Sequence, residues 1–329
     1  METKVSAAPA AEAGAAVPTI RDRLLVIDDF LPVELAEAMR LDIDNHFSNP
    51  AAHAAETHQV WNYWYVPPVY TYFRTQPEKV IEKASVDAFM DRLRFFTTET
   101  LGLARVNWPY LSLYVDGCKQ GLHNDAHNGR FGYVYSLTRN ERRTSGGETI
   151  VHHEGDPFRN GLVKPLVARG FYDAIAPRFN RLVIFDDRMP HAVERIEGSM
   201  DPKEGRFVMH GHIREGGPAA GGALPFDEVA PKAVQAVHAF VRESSIPLTT
   251  YHGPVTLRLD IRPDGSVQRC QVLLDRVFHA DPADARWPEL LKTLVERLEA
   301  LTFPPAAGET HLLLPVLFGQ MLVEHDAFT

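Results

Sequence analysis

Between residues 110 and 213 the chain reads as short β-rich runs broken by Gly, Asn, Asp and Pro. The candidate strands are residues 110–116, 131–137, 148–152, 181–185, 191–196 and 206–213. Parallel strands need crossovers of about a dozen residues or more, usually helical. No βαβ rhythm separates these runs, and no Walker or dinucleotide glycine motif is present. Short strands at this spacing favour a sandwich, jelly roll or barrel over a parallel sheet.

The flanks differ in texture. Leu24–Ile27 is a short apolar strand candidate ended by Asp28 and Asp29. A helix is expected over 32–47, with Leu35, Met39, Ile43 and Phe47 on one stripe and Pro32 in its first turn. A second is expected over 77–101, where Val80, Ile81, Ala84, Met90, Leu93, Thr97 and Leu101 follow the helical period. Between them, seven of the thirteen residues 61–73 are aromatic. Such a stretch either packs a core or walls a ligand pocket.

Residues 216–222 (GGPAAGG) read as a flexible connector. Beyond it a helix is expected around 231–243. Val255, Leu257, Leu259 and Ile261 then alternate with polar residues up to a Pro263-Asp264-Gly265 turn, and a strand returns over 266–274. An amphipathic helix carries Trp287, Leu290, Leu291, Leu294, Val295, Leu298 and Leu301, and a last strand lies near 311–318. The expected organisation is a disordered tail (1–20), a main domain (21–215), a linker (216–223) and a small α+β domain (224–329). The expected fold class is mainly β with flanking helices: a jelly-roll core plus that small C-terminal domain.

Composition narrows the partners. The 329 residues carry a formal net charge of -9, which argues against a chain built to coat nucleic acid. Cys118 and Cys270 are the two cysteines, so a zinc ribbon or a disulfide framework is not expected and a cytoplasmic setting fits. No apolar run nears the ~20 residues of a membrane helix, so no membrane partner is expected. The Ala-rich first 18 residues lack the features of a signal or transit peptide.

The chemistry-bearing pattern is Leu122-His123-Asn124-Asp125. In an extended segment, residues two apart project from one face, so His123 and Asp125 point together. His191, following the apolar run 181–185, is the best third ligand. Two imidazoles and one carboxylate on one side of an octahedral ion suit the non-heme Fe(II) of oxygenases. Taken singly, each residue reads as a surface His, a turn Asp and a packed His. His-x-Asp is a short match, and the weight comes from its surroundings. These are Gly146-Gly147-Glu148-Thr149 before a strand, the apolar strand before His191, and Gly205-Arg206 opening another strand fifteen residues after His191.

In that order the residues resemble the 2-oxoglutarate and Fe(II)-dependent dioxygenase superfamily, in its prolyl 4-hydroxylase-like subgroup. The resemblance spans residues 25–213, and the early Val26-Ile27-Asp28-Asp29-Phe30-Leu31 shares it. It implies a double-stranded β-helix. It also implies His123, Asp125 and His191 as iron ligands and Arg206 as the cation gripping the distal carboxylate of 2-oxoglutarate through paired hydrogen bonds. Tyr114 would add a hydroxyl donor to the cosubstrate or serve as a core tyrosine. The implied activity is hydroxylation of an unactivated C–H bond in a peptide, protein side chain or amino-acid-like metabolite. Fe(II), 2-oxoglutarate and O2 are the cofactors, ascorbate is a candidate reductant, and succinate and CO2 are the co-products. Asp125 argues against the halogenating relatives, which lack this carboxylate.

The stretch from His191 to Arg206 is longer than the family's usual gap, residues 199–203 reading as an inserted loop, and Arg195 is a rival cation. His127, His152, His153, His210 and His212 are further histidines that pocket or core could claim. Arg139, Arg142 and Arg143 read as a solvated basic turn or an anion contact. Residues 61–73 and the loops 178–181 and 199–203 are candidates for substrate selection. Two other readings share the pattern: a cupin-type metal enzyme without need of Arg206, and a binding or sensing protein without turnover. The last hundred residues also resemble the TonB carboxyl-terminal domain, over about 75 residues. For that module partner or substrate recognition, homodimerisation or a structural role is expected.

Overall fold

The computed structural model describes residues 18–48, 60–66, 69–153, 171–281 and 283–319. The chain divides into two compact units. One comprises described residues of Arg23–Arg94 and Val106–Arg214; the other comprises residues 18–22, Phe95–Arg105 and 215–319.

In chain order the elements up to Arg214 are β1 (Leu24–Ile27), α1 (Val33–Ser48), β2 (Asn62–Val66), β3 (Tyr70–Thr75), α2 (Lys83–Leu101), β4 (Arg105–Val106), β5 (Tyr110–Tyr114), β6 (Lys119–His123), β7 (Phe131–Ser136), β8 (Thr149–His152), β9 (Tyr172–Ile175), β10 (Arg181–Asp186), β11 (His191–Val193) and β12 (Arg206–Arg214). The sheet order is β1-β10-β7-β12-β5-β3-β6-β11-β8-β9, antiparallel at each pairing, with β2 added to β3. Five strands separate β10 from β11 along this order, yet Phe185 on β10 and His191 on β11 bring their rings to 4.5 Å. Neighbouring strands lie about 4.8 Å apart, so a flat sheet cannot make this contact. The sheet curls into two facing layers, and Val151, Ile175, Val183 and Phe185 pack between them. This is the expected double-stranded β-helix.

Several boundaries move for physical reasons. The expected helix over 77–101 opens with a separate 3-10 turn, Pro77–Lys79, before α2. The run 191–196 is a strand only to Val193. Residues 61–73 prove to be most of a hairpin, β2 and β3, with Pro67 and Pro68 outside the described residues.

The other unit contains β13 (Ala219–Gly222), α3 (Phe226–Glu243), β14 (Tyr251–Ile261), β15 (Val267–Asp275), β16 (Phe278–His279), α4 (Trp287–Glu299) and β17 (Thr310–Phe318). Its sheet runs β13-β17-β14-β15, with β16 beside β14. Apolar faces of α3 and α4 (Val237, Phe240, Leu291, Leu294) share one core with Leu257, Leu259 and Leu314. Pro231 falls inside α3 and removes one backbone hydrogen bond, which burial of Val229, Ala233, Val237 and Phe240 offsets. The turn at Gly265 forms as expected: its φ is 87°, and an added Cβ would lie 1.9 Å from the Phe303 oxygen. The glycine-rich segment expected as a linker contains β13. Its Gly221 makes room for the His311 ring, which a Cβ would meet at 2.6 Å. Of the expected tail, residues 1–17 lie outside the described residues, while Ile20 is buried and its N–H donates to the Leu273 oxygen at 2.8 Å. Among the described residues no helix is long and apolar enough to cross a membrane.

Candidate metal centre

His123 closes β6 and His191 opens β11, and the antiparallel register sets them opposite each other. Their rings lie 4.3 Å apart. The sequence reading placed Asp125 two along an extended strand. In fact β6 stops at His123, and Asp125 follows in irregular chain. Its backbone N–H donates to the Asp187 oxygen at 2.9 Å, which holds it beside the two rings. Asp125 Oδ2 is 3.4 Å from His191 Nε2 and 3.7 Å from His123 Nε2. One ligand atom from each of the three falls within 4.8 Å of the others.

The orientation is set by the backbone. Nδ1 of His123 lies 2.8 Å from the Gly121 oxygen, and Nδ1 of His191 lies 3.0 Å from the Met189 oxygen. A carbonyl accepts only from N–H, so these contacts fix the proton on Nδ1 and leave both Nε2 lone pairs facing Asp125. Asn128 Nδ2 donates to Asp125 Oδ1 at 2.9 Å, leaving Oδ2 toward the rings. Burial pushes the Asp125 carboxyl up, but the adjoining His191, His123 and His212 rings, when protonated, hold it down at about 2. Burial, then the neighbouring His191, lowers His123 below an ordinary imidazole. Both ligands are thus biased toward the protonation states a metal needs.

Arg206 opens β12 opposite Tyr114 on β5. It is 1% exposed, and burial works against its charge. Its Nη2 donates to Thr149 Oγ1 at 3.1 Å, and the guanidinium stands 4.9 Å from the Tyr114 ring. Its Nε and Nη1 have no hydrogen-bond partner among the described residues. A buried cation with two idle donors is costly unless an anion arrives. Tyr114 is buried and donates to Gln120 Oε1 at 3.3 Å; Gln120 Nε2 lies 3.2 Å from His123 Nε2. Arg195, the rival cation, has a side chain 58% exposed and lies beyond the end of β11.

These groups line one cavity of about 250 Å³. His210 and His212 line it too, whereas His127 is exposed, His152 packs on Tyr172 and His153 faces Asp173. His212 Nδ1 lies 3.0 Å from Asp187 Oδ2, and its Nε2 is 4.0 Å from Asp125 Oδ2. Asp187 is fully buried, and the absence of Cβ atoms makes room for it. A Cβ at Gly129 would meet its Oδ2 at 2.6 Å, and one at Gly132 its Oδ1 at 2.9 Å. Arg139 pairs with Asp44, and Arg142 donates to the Gly146 oxygen at 2.8 Å; neither lines the cavity. Nor do the loops 178–181 and 199–203.

Sequence reasoning missed Asp187, Asn128, Gln120 and Arg74. Arg74 had a signal: Tyr70, Tyr72 and Arg74 alternate along β3 and all line the cavity, one residue beyond the aromatic stretch singled out. Asp187 had none, since only the curl of the sheet brings the end of β10 beside the candidate ligands.

The donor set fits a ferrous ion: two neutral imidazole nitrogens and one carboxylate oxygen, all lining the cavity, would hold it. Arg206 fits the far carboxylate of 2-oxoglutarate by its unpartnered N–H groups. Residues 110–214 match the family model described as the 2OG-Fe(II) oxygenase superfamily. None of the curated proteins matches the chain. Similar solved structures include a Pseudomonas putida prolyl-4-hydroxylase (18% identity, 59% of this chain and 92% of that one, TM-score 0.42). Another is a prolyl hydroxylase from Trichoplax adhaerens, solved with a hypoxia inducible factor oxygen degradation domain peptide fragment (14%, 57% and 81%, 0.39). A third is a viral collagen prolyl hydroxylase from Paramecium Bursaria Chlorella virus-1 (16%, 59% and 97%, 0.38). Over residues 110–214 the chain is a domain of the 2OG-Fe(II) oxygenase superfamily, a 2-oxoglutarate-dependent dioxygenase that uses Fe(II), 2-oxoglutarate and O2.

Proposed function

We propose that His123, Asp125 and His191 hold Fe(II), that Arg206 binds the far carboxylate of 2-oxoglutarate, and that Tyr114 assists it. The enzyme hydroxylates an unactivated C–H bond of an amino-acid-like metabolite or a peptide or protein side chain, releasing succinate and CO2. The observation that carries this reading is the pairing of a converging His-Asp-His set with a fully buried arginine whose Nε and Nη1 are unpartnered.

Each residue has a definable task. The Gly121 and Met189 carbonyls fix the two imidazole tautomers, and Asn128 fixes the carboxylate. Arg206 offers a planar guanidinium whose Nη2 spends a hydrogen on Thr149 Oγ1, leaving the Nε and Nη1 N–H groups for an anion. Burial raises the Tyr114 phenol well above its usual range, so it stays a neutral donor within reach of the same anion. Phe185, Val193 and Val208 supply apolar wall that keeps water from the reacting C–H bond. When bound, the ferrous ion and cosubstrate supply the oxidising power, which no side chain provides.

The test uses purified protein with Fe(II), ascorbate and 2-oxoglutarate under air. Succinate should form slowly without substrate, and faster with a compound that gains the mass of one oxygen. Protein that binds iron at these residues yet releases no succinate with any compound would overturn the catalytic reading.

A further inference from the structure

Arg74 lies on β3, between β2 and β5 in the sheet. Its guanidinium is 3.8 Å from the Trp64 ring on β2 and 4.0 Å from the Tyr110 ring on β5. The rings clamp it from the two neighbouring strands. They are 39% and 40% exposed, which places the clamp where the cavity opens to solvent. Stacking holds the plane of the fork without using its N–H donors. A guanidinium fixed this way has already lost much of the freedom that binding would otherwise cost it.

Charge accounting isolates this residue. Asp125 is the one carboxylate among the described residues lining the cavity. With Fe(II) and 2-oxoglutarate seated as proposed, Asp125 and the near carboxylate balance the ion, and Arg206 balances the far carboxylate. His212 is balanced by Asp187. Among the described residues the positive charge of Arg74 is left without a counterpart inside a partly desolvated cavity. Apart from the substrate, nothing due to enter this site supplies it.

We infer that Arg74 anchors a carboxylate of the substrate, so that the site takes an acid in preference to its neutral or cationic counterpart. This rests on the reading proposed above. The carboxylate belongs either to a free amino-acid-like molecule or to an acidic residue of a peptide; the cavity, shared with 2-oxoglutarate, has room for a group of that size.

Two arms separate the sources. Protein loaded with Mn(II) and 2-oxoglutarate is titrated with N-acetyl amino acids and the matching N-acetyl amides. A second series uses peptides capped at both ends that differ only in Glu against Gln or Asp against Asn. In one arm the acid should bind roughly 10- to 100-fold more tightly than its neutral isostere, the range for hydrogen bonds to a charged group. Arg74→Gln should erase that preference. Arg74→Lys, which keeps the charge and loses the planar fork, should retain part of it and carries the test where the Gln variant does not fold. Equal affinity of acid and isostere in both arms, absent binding included, overturns the inference, as does a preference that survives Arg74→Gln. If Mn(II) and 2-oxoglutarate bind while the preference is missing, this inference alone fails. If neither binds, the reading beneath it fails as well.

Discussion

The two units treat burial in opposite ways. The second buries side chains such as Leu257, Leu259, Leu291, Leu294 and Leu314, and its buried polar residues among those described are threonines: Thr97, Thr256 and Thr310. Thr256 donates to the Leu101 oxygen at 2.5 Å, and Thr310 Oγ1 accepts from the Leu224 N–H at 2.9 Å. The first unit buries Arg40, Arg181, Asp186, Asp187, His191 and Arg206, and leaves Arg206 and Asp187 with unpartnered atoms. Burying an unpartnered charge costs several kcal/mol. A fold tolerates that where a ligand offsets it, so the buried charges favour the first unit as the one that binds a ligand.

The comparison breaks first at the metal. Asp125→Ala or His191→Ala should lose several kcal/mol of metal affinity, roughly a thousandfold, measured by Mn(II) titration, and succinate release should vanish with it. Unchanged Mn(II) affinity would leave the converging side chains as packing. Next comes Arg206→Met, which should move two quantities in opposite directions. The KM for 2-oxoglutarate should rise by about 2–5 kcal/mol in equivalent free energy, from some thirtyfold to a few thousandfold. In the unliganded protein the same change removes an unpartnered buried charge, so resistance to urea should hold or increase. A several-kcal/mol loss of apo stability would mean that Arg206 is structural, and the contrast between the units would dissolve.

Leu294→Ala supplies the converse. Leu294 is fully buried in the second unit's core, so its truncation should cost about 3 kcal/mol through lost burial and a cavity. Mn(II) and 2-oxoglutarate affinities should stay at wild-type values. A parallel fall in both would show that the second unit has a part in the site.

The fold class was legible because it depends on local pattern, alternation and turn residues, and the His-x-Asp step pointed to side chains that do converge, as candidates for a metal. Arg206 was legible through its Gly205-Arg206 strand start. What stayed hidden depends on register between distant segments. Asp125 takes its place from the Asp187 carbonyl and not from continuation of β6, and Asp187 fits because Gly129 and Gly132 lack side chains. Arg74 gains its clamp only when β2 and β5 flank β3. Gly221 read as linker because its purpose, room for His311, lies ninety residues along the chain.

The smallest effect is also the sharpest test, because it pits one tyrosine of each unit against the other. Tyr114 and Tyr251 are both buried, and each hydroxyl donates to a side-chain oxygen: Gln120 Oε1 at 3.3 Å and Asp284 Oδ1 at 3.0 Å. Burial raises both phenols above the ordinary value. The Tyr114 bond is long and to a neutral amide, as suits a donor held in reserve for an incoming anion. The Tyr251 bond is shorter and to a carboxylate, as suits a structural tie. Tyr114→Phe should therefore raise the KM for 2-oxoglutarate by about 1 kcal/mol in equivalent free energy, roughly fivefold, with little change in stability. Tyr251→Phe should lower stability by about 1 kcal/mol or somewhat more and leave that KM alone. Because burial disfavours the Tyr114 phenolate, the wild-type KM should show no break attributable to this hydroxyl as pH rises to about 10, the ordinary tyrosine value. A break there, or a Tyr114→Phe variant that loses stability instead of 2-oxoglutarate affinity, would place Tyr114 with the core and not with the site.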